Sequence, residues 1–98
     1  MNTDQVLESL RKHRQTLRTD FRIVRLGLVG SFARGEQAKE SDIDLLAEFE
    51  PGTDDLFDKK MKLRDQLRAS CHRQVGICRE KDVQPHRNSR LLQEAIHV

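Results

Sequence analysis

Two spacings of apolar residues divide the chain into elements. Val6, Leu7, Leu10 and Leu17 recur at helical intervals, so Thr3 to about Arg18 is predicted as an amphipathic helix with Asn2 or Thr3 as N-cap. From Phe21 to Val29 the period becomes two. Val24, Leu26 and Leu28 alternate there with Ile23, Arg25 and Gly27, the pattern of a strand that ends at Gly30. Ser31 to Arg34 suits one helical turn, and Gly35 to Ser41 a polar loop. Asp42 to Phe49 is the second expected strand, and Glu50 to Asp54 a turn. Leu56 to about Ala69 predicts a second long helix, capped by Asp54 or Asp55, with Leu56, Phe57, Met61, Leu63 and Leu67 inward. Arg73 to Glu80 reads as a third strand. Arg87 to Ile96 reads as a last helix with Leu91, Leu92, Ala95 and Ile96 as its apolar face.

The connection between the first two strands is too short for a parallel crossover, which needs about a dozen residues or more, so these strands are expected to be antiparallel. The pattern implies an α+β fold of two layers, a small mixed sheet with helices on one face. Residues 1–98 suit one domain, and no repeat or low-complexity linker interrupts them.

Composition narrows the functions available. Hydrophobic residues make up 36% of the chain and charged residues 35%. So low an apolar share in a small domain suggests that a partner covers one surface. Eighteen basic and sixteen acidic residues leave a net charge of +2, too balanced for nucleic-acid binding by bulk electrostatics. Four Phe, with no Tyr or Trp, offer few platforms for stacking bases. No stretch is apolar for the ~20 residues a bilayer requires, and the polar start MNTDQVLESLRKH does not read as a signal peptide. Cys71 and Cys78 lack CxxC spacing, and with His86 they match no common zinc pattern, so a reduced cytoplasmic setting is expected.

The candidate chemistry lies around the first two strands. Gly30 lets backbone approach a phosphate closely because it has no Cβ. The Ser31 hydroxyl and the open N–H groups of the next turn can donate to phosphate oxygens, and Arg34, one turn on, can add a bidentate contact. Ten residues, Phe32 to Ser41, separate Ser31 from Asp42, and Asp44 follows two positions on. Two apart in a strand, they leave the same face with Cα atoms ~6.5 Å apart. Their carboxylates can converge on a pair of Mg²⁺ ions ~3.5–4 Å apart, the arrangement of two-metal phosphoryl transfer. Without cations, one of two such close carboxylates would tend to stay protonated. Taken singly, Gly30-Ser31 also fits a plain strand-ending turn, and Asp42 and Asp44 a solvated strand face.

The run GSFARGEQAKESDID resembles the signature of the DNA polymerase beta-like nucleotidyltransferases: Gly-Ser, ten residues, Asp-x-Asp. The longer run LVGSFARGEQAKESDIDLLAEF is similar to the minimal nucleotidyltransferases of bacteria and archaea, and the likeness extends over most of the chain. The four fixed positions alone would match by chance in about one chain per thousand of this length. The resemblance implies a nucleotidyltransferase fold and Mg²⁺-dependent transfer of AMP from ATP. Asp42 and Asp44 would be the catalytic metal ligands, and Gly30, Ser31 and Arg34 the nucleotide contacts. It further implies the antitoxin half of a pair whose partner is a HEPN-domain toxin, silenced by adenylylation of a tyrosine.

One position departs from the family pattern. Members carry a third aspartate on the strand after the second long helix, where this chain reads Val75-Gly76-Ile77. Glu80 lies ~13 Å further along that strand, and Glu48 is as far from Asp44. Positioned acid–base groups contribute ~10²–10⁴-fold to rate, so Gly76 leaves a second reading: a catalytically impaired nucleotide-binding module that neutralises or scaffolds its HEPN partner by contact.

Overall fold

The computed structural model describes residues 2–38, 41–79 and 93–98. The chain begins with α1 (Thr3–Lys12), which Asn2 caps. The Asn2 Oδ1 accepts from Gln5 N at 2.8 Å, and Gln5 Oε1 accepts from Asn2 N at 2.9 Å, a complete capping box. The expected single helix is two. His13 Nδ1 sits 2.9 Å from the Ser9 carbonyl, the group that His13's own N–H would take in an unbroken helix. That N–H turns to Leu10 O instead, and α2 (Arg14–Thr19) starts afresh. Val6, Leu7, Leu10 and Leu17 are all buried.

The first strand, β1, is Ile23–Val29, and it pairs antiparallel with β2, Ile43–Phe49, as the short connection required. A register shift between Ile23 and Arg25 makes Val24 an extra residue. This corrects the simple alternation. Ile23 points inward with Leu26 and Leu28, while Val24 is 44% exposed. The one-turn α3 (Ser31–Arg34) follows β1, and Gly35 ends it in the left-handed conformation.

The long α4 runs Leu56–Cys71. Asp55 occupies its N-cap position but makes no side-chain capping bond, and Asp54 uses its carbonyl to accept from Lys59 Nζ. Leu63, Leu67 and Cys71 form the buried stripe, with Leu56 packed at its edge. Phe57, expected inside, is 71% exposed, because it lies off the i, i+4, i+8 line those three define.

From α4 the chain enters β3 (Val75–Arg79), which pairs parallel with β2. The parallel pair uses α4 as its crossover, as such a pair must. Arg73 and Gln74, expected as the first residues of the third strand, precede it, and Glu80, its expected last, lies outside the described residues, as does most of the last expected helix. Within its described part, Gln93 and Glu94 are helical, but Ile96–His97 form β4, antiparallel to β1. A two-residue strand is too short to announce itself against a helical period.

The result is a mixed four-stranded sheet in the order β3-β2-β1-β4. Leu26, Leu28, Ile43, Leu45, Ala47, Phe49, Val75 and Ile77 share one core with the helix residues. The sheet thus has helices packed on one face, the α+β architecture expected. Among the described residues no helix is long and apolar enough to cross a membrane.

Candidate active site

Three adjacent strands meet at one end of the sheet: the exit of β1, the entry of β2 and the entry of β3. Val29 pairs with Asp44, and Asp44 pairs in turn with Gly76. The ten residues between Ser31 and Asp42 fold back, so that Gly30 and Asp44 come into contact.

Gly30 has φ 77° and ψ −156°, a region essentially restricted to glycine. A Cβ built there would lie 2.7 Å from Asp44 Oδ2, so both backbone and space require glycine. The α3 turn behind it is anchored by Phe32, which is fully buried. The Thr3 hydroxyl donates to the Phe32 carbonyl, and the Arg73 guanidinium lies 5.2 Å from the centre of the Phe32 ring. Arg73 also donates to Ser41 O at 3.0 Å, while Ser41 Oγ accepts from Ala38 N at 2.7 Å. Ile43 N donates to Gln74 O at 2.9 Å. Asp42 is therefore held by fixed neighbours on both sides, just ahead of β2 rather than within it.

Asp42 and Asp44 are both exposed. Partial desolvation pushes the Asp44 carboxyl above the ordinary range, and the nearby Asp42 charge pushes it further, while Arg34 pulls the other way. The Asp42 charge thus contributes a repulsion that ranks second to desolvation. The two aspartates supply hard oxygen donors on one face, which suits Mg²⁺, an ion commonly held by one or two carboxylates with water and substrate phosphates completing its shell. Among the described residues no third His, Cys, Asp or Glu joins them in a cluster able to hold a metal by itself. The Gly76 position, directly beside Asp44, carries no side chain, and a Cβ there would stand 3.2 Å from Asp44 Oδ1.

Sequence reasoning missed Glu94. Its Oε1 accepts from Gly30 N at 3.2 Å, and its Oε2 accepts from Arg34 Nη1 at 3.2 Å. Its side chain is only 14% exposed. Arg34 also donates through Nε to Glu36 Oε2 at 3.0 Å. Arg34 thus stands beside Gly30 as expected, but two carboxylates engage it, and one of them also takes the Gly30 N–H. No spacing rule links residues 30 and 94. They meet only because β4 returns alongside β1.

Residues 10–98 match the family model of the nucleotidyltransferase domain. The chain belongs to that family. A candidate protein adenylyltransferase of Methanocaldococcus jannaschii, MJ1379, is 30% identical over 95 residues, 96% of this chain and 95% of its own. The protein adenylyltransferase MntA of Thermococcus cleftensis is 26% identical over 98 residues, covering 100% of this chain and 97% of the relative. Among solved structures, a candidate minimal nucleotidyltransferase superposes with a TM-score of 0.80 at 31% identity, over 98% of this chain and 95% of the other. A toxin–antitoxin crystal structure with AMP-PNP shares the fold at a TM-score of 0.67 and 16% identity, over 99% of this chain and 72% of the other. The nucleotidyltransferase fold is thereby shown for this domain.

Proposed function

We propose that this nucleotidyltransferase domain transfers AMP from ATP to a hydroxyl of a protein partner, the tyrosine of a HEPN-domain toxin, and so acts as its antitoxin in the cytoplasm. The observation that carries the reading is the contact of Gly30 with Asp44 beside Asp42, a phosphate-approach point set directly against a carboxylate pair. The names of its relatives support the reaction: two are protein adenylyltransferases by name, and a structural neighbour is a toxin–antitoxin assembly crystallised with an ATP analogue.

Asp42 and Asp44 would hold Mg²⁺, which supplies charge neutralisation on the phosphoryl oxygens and a lowered pKa for a bound hydroxyl. Ser31 Oγ and the first N–H groups of α3 would donate to the β- and γ-phosphates, since a first helical turn leaves those donors open. Gly30 admits the triphosphate to that turn, and Arg34 neutralises it once released from Glu94. The acceptor oxygen bonds to the α-phosphorus, pyrophosphate leaves, and the acceptor proton passes to solvent.

A second reading rests on Gly76. With no acid beside Asp44 in β3, the same fold can bind nucleotide and partner without turnover, neutralising the toxin by contact. The decisive experiment incubates the chain with its partner, ATP and Mg²⁺, and weighs the partner by mass spectrometry. The expected outcome is one added AMP on the partner, abolished when Asp42 and Asp44 are both replaced by Asn. Stable complex formation with no mass change would sink the transferase reading and leave the binding module.

A further inference from the structure

The direction of the reaction fixes where its acceptor must enter. In-line displacement sets the attacking oxygen opposite the leaving pyrophosphate. If the leaving group sits on the Gly30–Ser31 side of the aspartate pair, the acceptor comes from the other side, where α4 ends and β3 begins. A cavity of about 630 Å³ opens there, with Asp42 in its wall. Asp65, Arg68 and His72 line it from one face of the last turns of α4, and Ser41 and Arg73 line it from across.

The charges of this wall are unequally committed. Asp65 accepts from Arg64 at 3.1 Å, and Arg73 is held by Ser41 O and the Phe32 ring. Asp42 is assigned to cations. The Arg68 guanidinium makes no hydrogen bond or ion pair with a described residue. Its backbone carbonyl is used, accepting from His72 N at 2.8 Å to close the helix, which fixes the position of the side chain's root.

We propose that this cavity is the acceptor subsite and that Arg68 selects the acceptor by pairing with a carboxylate next to the modified hydroxyl. The inference rests on the transferase reading above and adds its substrate class: a tyrosine flanked by acidic residues. Planar, bidentate pairing with carboxylate is the recognition that a guanidinium does best.

The test uses the full chain and two tyrosine peptides of equal length, one with glutamates on either side of the tyrosine and one with glutamines. With saturating ATP and Mg²⁺, the acidic peptide should be adenylylated with a kcat/KM at least tenfold higher. Arg68→Ala should erase that preference by raising the peptide KM, with the KM for ATP unchanged, and Arg68→Lys should restore it in part. Equal use of both peptides by the wild type overturns the proposal. So does an Arg68→Ala variant whose KM for ATP rises instead, since the cavity would then hold the nucleoside. If neither peptide is modified, fluorescence anisotropy with the same labelled peptides decides. Tighter, Arg68-dependent binding of the acidic one sustains the subsite, and equal binding removes it. A separate titration of the wild type with ATP and Mg²⁺ shows whether the nucleotide site itself has failed.

Discussion

Gly30 and Gly76 lie on opposite sides of the Asp44 carboxylate, one at the exit of β1 and the other in β3. At Gly30 the backbone has a positive φ, and an added Cβ would strike Asp44 Oδ2 at 2.7 Å. At Gly76 the backbone is ordinary strand, and among the described residues an added Cβ would meet only Asp44 Oδ1 within 4 Å, at 3.2 Å. The first glycine is required by conformation and by space. The second is not required by conformation, and space opposes a side chain there only at Asp44 Oδ1. Glycine in a strand also weakens it, so the proposed function reads Gly76 as a position where a carboxylate can be added. On the Gly30 side, Glu94 accepts from the Gly30 amide and pairs with Arg34.

Substitutions at the pair and around it test this asymmetry. The largest effect is expected for Gly30→Ala. The forced φ alone costs ~1–3 kcal/mol, and the Asp44 clash adds to it. The urea midpoint should fall and calorimetry should detect no Mg²⁺-dependent ATP binding; wild-type values in both would mean that Gly30 is an ordinary turn residue. Ser31→Ala should leave the midpoint unchanged but weaken ATP by ~1.5–3 kcal/mol, the worth of one hydrogen bond to a charged group. Unaltered affinity would detach Ser31 from the phosphates.

Gly76→Asp should act in the opposite sense. Asp44 needs to yield only a few tenths of an ångström, and cations would stabilise the added charge. AMP transfer at saturating ATP and Mg²⁺ should rise at least tenfold, while nucleotide affinity changes less. A wild-type rate that is already high and unimproved would show that another group does this work. The smallest effect is expected for Asp44→Asn in the metal-free protein. The folded-state carboxyl of Asp44 is raised, so the native state binds its proton more tightly than the unfolded chain does. Ionising it therefore costs stability as pH rises from the unfolded value, about 3.9, through the higher folded one. The Asn variant should be the more stable at pH 7 and indistinguishable from wild type below pH 3. Denaturation series with a chelator present would reveal any reversal of that order.

How far the site could be read from sequence follows from the reach of its contacts. Gly30, Ser31, Asp42 and Asp44 lie within fifteen residues of one another, on two strands joined by a short connection, so period and spacing brought them together. The resemblance singles out Gly76 as the position of a third aspartate, and the parallel register sets it beside Asp44. The features that stayed hidden depend on distant partners or on competition within a turn. Val24 bulges out of a strand whose alternation looked regular. His13 breaks a helix by taking a carbonyl its own amide would have used. Phe57 is apolar but off the stripe, and Glu94 reaches Gly30 across sixty-four positions.

Glu94 also bears on the thermodynamics of any anion that comes to Gly30 and Arg34. The donors there are not vacant, so binding is an exchange, one anion for another. The outgoing carboxylate is tethered to the same chain, and tethering acts like a ligand at millimolar effective concentration. A lone phosphate or sulfate would compete poorly against it. A triphosphate that gains further contacts along α3 and through Mg²⁺ would succeed, so the tether favours ligands that engage several points at once. Between such ligands it would keep the Gly30 amide and the Arg34 guanidinium paired and in place.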